Sequence, residues 1–185
     1  LSGVLVEPGA EHRLWYFATK GYPSISSLKE AADRFKRQEQ RGERTVILYF
    51  SDHDPEGLHM PEQVGEALEQ FGVTNVEIRR MGLTMEQIRE HQPPASAAKR
   101  GSSRIQSYYD ATGTDEAWEL DALKPAVIQQ LIVDEVLKIR DDDLWEAALA
   151  KEAEGEEMMT RIAQNYDEIV QFLDDLEYGE DDDDY

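Results

Sequence analysis

The sequence contains no cysteine in its 185 residues, and this absence excludes several kinds of protein. A disulfide framework, a thiol nucleophile, cysteine-ligated zinc and an iron–sulfur cluster all require cysteine. Long apolar runs are missing as well. None approaches the roughly 18 residues of a membrane-spanning helix, so no membrane contact is expected. We therefore expect a protein of a reducing, cytoplasmic setting.

Basic residues are scarce, and they are distributed unevenly along the chain. Lys and Arg total 19 against 40 Asp and Glu, which gives a formal net charge of −21. Residues 1–110 carry 14 basic and 16 acidic residues, whereas residues 111–185 carry five basic and 24 acidic residues. The second part would repel a phosphate backbone. Any contact with nucleic acid must therefore lie in the first part or depend on metal ions.

Alternating strand and helix patterns predict an α/β protein over residues 1–140. Apolar runs at 14–19 and 45–50 are predicted as strands, as is the segment 75–80, where Val76 and Ile78 share one face, and amphipathic helices lie between them. The run TVILYF at 45–50 is apolar on both faces, as in a central parallel strand that is covered on each side. This order predicts a Rossmann-like parallel sheet flanked by helices, with sites beyond the carboxyl ends of its strands.

The remainder of the chain is predicted to be helical and acidic. Residues 118–123 are predicted as a short strand or strand end, and residues 125–139 as a helix. Residues 141–177 are predicted as one long amphipathic helix, a candidate surface for a second copy or for a protein partner. The tail at 178–185 is predicted to be disordered because it is charged and poor in apolar residues.

The segment SDHDPEG at 51–57 follows the strongest predicted strand and carries the candidate chemistry. Because side chains alternate along an extended chain, Asp52 and Asp54 are expected to face one way and His53 another. Two close carboxylates repel each other unless a cation lies between them. Mg²⁺ or Mn²⁺ suits this role because it usually takes one or two carboxylates. Alternatively, the two aspartates only cap a turn and a helix start, and spacing alone leaves both interpretations open.

Several stretches of the chain resemble the TOPRIM (topoisomerase–primase) domain family. The motif Asp52-x-Asp54-Pro55-x-Gly57 is most similar to the version in the topoisomerase VI A subunit and the meiotic double-strand-break protein. Four other stretches are similar to TOPRIM-type proteins: GYPS at 21–24, RMGLTxxQI at 80–88, AK to SR at 98–104, and WELDAL at 118–123. The resemblance extends over about residues 1–150.

This resemblance implies a TOPRIM-type sheet and Mg²⁺- or Mn²⁺-dependent phosphodiester chemistry on DNA, by topoisomerase-like strand cleavage or by a nuclease reaction. It implies Asp52 and Asp54 as metal ligands. It also implies a general acid/base Glu at the end of a first strand, which we expect to lie upstream of Leu1. We therefore interpret the chain as an N-terminally truncated piece that is inactive alone.

Other candidate residues lie around the motif. Glu119 and Asp121 are candidates to complete a metal site or to orient its waters. Lys99, Arg104 and His53 are candidates to contact phosphate or DNA. The related proteins usually carry an acid at the position of Ser102, so a ligand role there is in doubt.

Two other functions stay open. The chain would be a non-catalytic protein-interaction module if it keeps the fold but lacks the catalytic Glu. It would be a phosphatase or receiver-like domain if Asp52 accepts phosphate. Receiver domains pair that residue with two acids at the end of the first strand, and the sequence shows none there.

Overall fold

The computed structural model describes residues 2–19, 21–98 and 101–179. The candidate residue Lys99 and the tail from residue 180 lie outside these ranges. The chain divides into two compact units, Leu1–Lys138 and Ile139–Tyr185.

Helices dominate both units. In chain order the α-helices and strands are α1 (Val6–Glu11), α2 (Ile25–Glu39), β1 (Thr45–Phe50), α3 (Pro55–Gln70), β2 (Val76–Gly82), α4 (Met85–His91), β3 (Ser96–Ala97), α5 (Ile105–Thr112), β4 (Glu116–Ala117), α6 (Pro125–Ile139), α7 (Asp142–Gln164) and α8 (Tyr166–Gly179). Two short 3-10 helices cover Ser2–Leu5 and Leu120–Ala122. No helix in the described ranges is long and apolar enough to cross a membrane.

A parallel pair of strands lies at the centre of the first unit. β1 pairs with β2 so that Thr45 lies opposite Val76 and Ile47 opposite Ile78, with α3 as the crossover between them. β3 and β4 form a separate antiparallel pair. The predicted α/β class, with a parallel sheet flanked by helices, is confirmed, although the described sheet is short.

Alternation along β1 directs its side chains into two hydrophobic clusters. Leu48 and Phe50 pack against one cluster, and Ile47 and Tyr49 pack against the other. The first cluster contains the buried residues Leu83, Ile88, Trp118, Leu120, Leu123, Ile128, Ile132 and Val136. The second contains the buried residues Ala32, Val64, Leu68 and Val73. Burial of each large aliphatic side chain contributes about 2 kcal/mol, so these clusters hold helices on both faces of the strands.

Two helix starts have the caps that the sequence predicts. Ser24 precedes α2 and its hydroxyl accepts a hydrogen bond from the Ser27 amide. Thr84 and Gln87 form a reciprocal capping box at α4. These bonds satisfy amide groups that the first turn of a helix leaves unpaired.

The predicted strand at 14–19 is wrong. These residues form no regular structure, and no strand of the described chain pairs with them. Leu14 packs against the first hydrophobic cluster, but Trp15 is 83% exposed. The guanidinium of Arg34 lies 4.7 Å from the Trp15 ring. An apolar, aromatic run forms a strand only when a neighbouring strand accepts its backbone hydrogen bonds.

The segment 118–123 consists of a single β-bridge residue followed by a 3-10 turn. Trp118 makes an isolated antiparallel bridge with His53, and a 3-10 helix covers Leu120–Ala122. Leu120 and Leu123 both enter the first cluster. Their spacing of three suits a tight helical turn, whereas a strand would send them to opposite faces. The predicted strand is therefore limited to its first residue.

The predicted helix at 141–177 is replaced by two helices. α7 ends at Gln164, and α8 begins at Tyr166. Between them the Asn165 side-chain amide donates to the Arg161 carbonyl, which also accepts the Asn165 backbone amide. Asparagine side chains compete for backbone groups in this way and interrupt helices.

We predict that Gly57→Ala destabilises the protein by about 3 kcal/mol. A Cβ at Gly57 would lie 2.2 Å from the Asp52 carbonyl oxygen, so the backbone would have to move. Gly65→Ala in the same helix is the matched control, since its Cβ would meet Ile78 Cδ1 at an ordinary 3.5 Å. Alanine is the better helix former, so the control should be neutral or stabilising by up to about 1 kcal/mol. Urea unfolding measures both, and equal effects would contradict the close approach.

Candidate functional site

The loop 51–54 connects the carboxyl end of β1 to α3 and lies beside the end of β2. The Ser51 amide donates to the Gly82 carbonyl, and the Leu83 amide donates to the Ser51 carbonyl. The buried Ser51 hydroxyl donates to the Gly57 carbonyl at 2.9 Å. The ends of the two parallel strands and the first turn of α3 are thereby joined, at the edge of a parallel sheet where ligand sites form.

Asp52 binds the segment that contains Glu119 and Asp121, the second predicted acidic pair. Its Oδ1 accepts a 2.8 Å hydrogen bond from the backbone amide of Leu120. Leu120 lies between Glu119 and Asp121, which are both exposed. The two acidic motifs are therefore adjacent in space, although 68 residues separate the bonded pair in sequence.

Asp54 is the N-cap of α3. Its Oδ1 accepts from the Gly57 amide at 2.6 Å, and Pro55 occupies the first turn, where no amide is needed. The predicted capping role is therefore present. It uses one oxygen of Asp54, just as the bond to Leu120 uses one oxygen of Asp52.

The oxygen donors at this loop are the carboxylates of Asp52 and Asp54, and each makes one structural hydrogen bond. The two structural hydrogen bonds engage Oδ1 of Asp52 and Asp54, and neither of these bonds uses Oδ2. Mg²⁺ usually takes one or two carboxylates and completes its octahedron with water or substrate phosphate. Across the described part of the chain, no three His, Asp or Glu side chains gather as a metal cluster. Two carboxylates are the number of protein ligands that a water-rich Mg²⁺ site usually has.

His53 lies beneath the surface of this loop. It is 2% exposed, and its backbone exchanges hydrogen bonds with Trp118 in both directions. Its Nδ1 lies 3.2 Å from the Leu83 carbonyl and 3.4 Å from the Arg80 guanidinium. The Tyr108 hydroxyl donates to the His53 carbonyl. A direct contact between this ring and a phosphate would require the core to open.

Burial, followed by the positive charge of Arg80, lowers the pKa of His53 to about 4. The hydrogen bond to Leu83 and the charge of Asp54 oppose this shift without reversing it. The imidazole is therefore neutral at physiological pH, and it adds no positive charge to the site.

Glu56 joins three parts of the chain, and sequence reasoning missed it. Its carboxylate accepts hydrogen bonds from Tyr22 at 2.8 Å, Ser102 at 2.9 Å and Arg104 at 2.7 Å. The Ser102 hydroxyl also accepts from the Arg104 amide. Ser102 and the predicted phosphate contact Arg104 therefore lie at the start of α3, and the Arg104 guanidinium is paired with Glu56.

These partners set the ionisation of Glu56. The hydrogen bond from Tyr22 contributes most to lowering its pKa, and Ser102 and Arg104 lower it further, while burial opposes them. Burial and the Glu56 carboxylate raise the pKa of Tyr22. Glu56 is thus ionised and Tyr22 is a neutral donor at neutral pH.

The two arginines of β2 have different partners. Arg79 pairs with Glu77 and with the buried Glu135 of α6. Arg80 donates to the Leu83 carbonyl at 2.6 Å, next to His53. Only Arg80 therefore lies close to the loop that carries the two aspartates.

Comparisons with protein-family models, with curated proteins and with solved structures give no match to this chain.

We predict that His53 stays neutral down to about pH 5, because its folded-state pKa lies well below that of an exposed imidazole. Below a pH of about 6.5 the unfolded chain binds a proton that the folded chain does not. Stability should therefore fall between about pH 6.5 and pH 4. Imidazole NMR titration tests this, with His53→Gln assigning the signal. A midpoint near that of exposed histidine would contradict the buried position.

We predict that Glu56→Gln lowers the free energy of unfolding by about 1 kcal/mol at neutral pH, since the site is part-exposed. The folded-state pKa of Glu56 is depressed, so its contribution is present at neutral pH and is lost as the pH falls through that pKa. The difference from the wild type should then vanish in acid. Glu66→Gln, on an exposed position of α3, is the control, and an equal effect of both substitutions would contradict the role of Glu56.

Proposed function

We propose that this chain is a TOPRIM-like domain that supports Mg²⁺- or Mn²⁺-dependent phosphodiester chemistry on DNA in a reducing, cytoplasmic setting. One observation carries the proposal. All four stretches that resemble TOPRIM-type proteins contact the segment 51–57, which contains the Asp52-x-Asp54 motif and the first turn of α3.

Each of the four contacts is made through named atoms. From GYPS, Tyr22 donates to Glu56. From RMGLT, the Leu83 amide donates to Ser51. The stretch at 98–104 contributes Ser102 and Arg104 to Glu56. WELDAL contributes the Trp118 bridge to His53 and the Leu120 amide to Asp52. Stretches that are far apart in the sequence thus meet at one place, which supports the interpretation that they serve a common site.

The charges around the loop favour a metal-assisted contact with DNA. Residues 1–110 have a net charge of only −2, and the exposed carboxylates near Asp52 would repel a phosphate. A bound Mg²⁺ would offset this repulsion and stabilise negative charge on a phosphoryl oxygen. Asp52 and Asp54 would hold the ion, while their hydrogen bonds to Leu120 and Gly57 keep the loop fixed. Glu119 and Asp121 would orient its waters. We assign no proton transfer to these residues.

A non-catalytic module with the same fold is the second candidate function. It is favoured by the structural hydrogen bonds of both aspartates, which account for the motif without any metal.

We predict that the double variant Asp52→Asn/Asp54→Asn weakens Mg²⁺ and Mn²⁺ binding by roughly tenfold or more. Asparagine keeps a carbonyl oxygen that can accept from Leu120 and Gly57, so the unfolding free energy should change by about 1 kcal/mol or less. Titration calorimetry measures the affinity, and Asp142→Asn/Asp143→Asn is the control for loss of charge elsewhere.

Equal metal binding by the double variant and the wild type would contradict the metal site and favour the non-catalytic module. The same proteins should then be tested with labelled single-stranded and duplex DNA. Binding that needs Mg²⁺ and is lost in the double variant would support the DNA substrate. If the wild type binds metal but the metal has no effect on DNA binding, the DNA substrate is contradicted and the metal site is not.

A further inference from the structure

α7 and α8 leave an apolar surface open to solvent. No side chain from residue 142 to residue 176 is buried. The exposed large apolar residues of the two helices are Leu144, Leu149, Met158, Met159, Ile162, Tyr166, Ile169, Val170, Phe172, Leu173 and Leu176. Isolated apolar residues are common at protein surfaces, but a contiguous set marks an interaction site.

Six of these residues follow a regular spacing, and we call them the apolar seam. Steps of three and four residues alternate along Met159, Ile162, Tyr166, Ile169, Leu173 and Leu176. Met159 and Ile162 lie in α7, and the other four residues lie in α8, where the spacing places them along one face of the helix. Strict alternation of three and four is typical of residues that contact another helix in a coiled coil. A partner helix is therefore a better match to the seam than an irregular surface.

Exposure of the seam is unfavourable for the helices themselves. Leu173 is 53% exposed and Leu176 is 54% exposed, in a helix of only 14 residues. Helices of this length are marginal in water unless an apolar face is packed. A helix that packs along the seam would supply this missing contact.

The charge beside the seam decides between a second copy and a different partner. Helices α7 and α8 carry 12 acidic and two basic residues. In α8, every charged residue is acidic, including Asp167, Glu168, Asp174 and Asp175. A second copy would bring the same negative charges to the contact, whereas Lys and Arg on a partner would be attracted to them.

We propose that the apolar seam binds an amphipathic helix of a partner protein whose flanks carry Lys and Arg. The apolar contacts provide the affinity, and the acidic flanks select the basic partner over a second copy. This inference does not rest on the metal site, which belongs to the other unit of the chain.

The test uses the whole chain and three labelled designed peptides of about three heptads each. Two have Ile and Leu at the contact positions, with either Lys or Glu at the flanks. The third has the composition of the Lys peptide in scrambled order. Fluorescence anisotropy should show saturable binding of the Lys peptide, and salt should weaken this binding. The Glu peptide and the scrambled peptide should not bind.

Variants locate the contact. Ile169→Ser/Leu173→Ser should weaken binding of the Lys peptide by roughly tenfold or more, because it removes two central contacts. Gln171→Ser, on a position of α8 outside the seam, should leave binding unchanged. Circular dichroism of each variant checks that helix content is kept. If the double variant loses helix, the single variant Leu176→Ser is used in its place, with the same expected loss of binding.

Two results would overturn the proposal. The first is equal binding of the Lys peptide to the double variant, or equal binding of the scrambled peptide, which would mean that only general charge attraction acts. The second is a dimer in sedimentation experiments that the double variant dissociates, which would assign the seam to a second copy of the chain.

Discussion

The close approach of Gly57 to the carbonyl of Asp52 is the constraint on which the first unit depends. It allows the chain to leave β1 and enter α3 within four residues, and no larger residue fits there. The turn is held by Ser51 and Asp54, which satisfy the groups that the turn leaves unpaired. Because the turn is tight, Asp52 and Asp54 are held at the edge of the sheet, and the Leu120 amide reaches the Asp52 side chain there.

Each carboxylate of the motif makes a structural hydrogen bond and is also a proposed metal ligand. One oxygen of Asp52 holds the segment after β4, and one oxygen of Asp54 caps α3. The same two carboxylates would hold the proposed metal ion. A site fixed by its own hydrogen bonds has little conformational freedom to lose on binding, and such preorganisation favours function. The same bonds also explain why spacing alone did not separate capping from metal binding.

Local patterns predicted the local structure well and the distant contacts poorly. The strand at 45–50 and the caps of α2 and α4 follow from adjacent residues, and they are confirmed. The partners of Glu56 lie 34 to 48 residues away, and no spacing rule connects them. The aromatic run at 14–19 had strand propensity but lacks a neighbouring strand, and Asn165 interrupts a helix through one side-chain bond. In each case a tertiary contact or one competing hydrogen bond decided the outcome.

The central claim is that the loop 51–57 holds a divalent ion, and paramagnetic broadening by Mn²⁺ tests it most directly. Amide signals of residues 52–54, 56–57 and 119–121 should broaden first at substoichiometric Mn²⁺, because the two segments are adjacent at the Asp52–Leu120 hydrogen bond. Broadening confined to the acidic helices α7 and α8, with the loop signals unchanged, would mean that the ion binds only to general negative charge. That result would contradict the metal site.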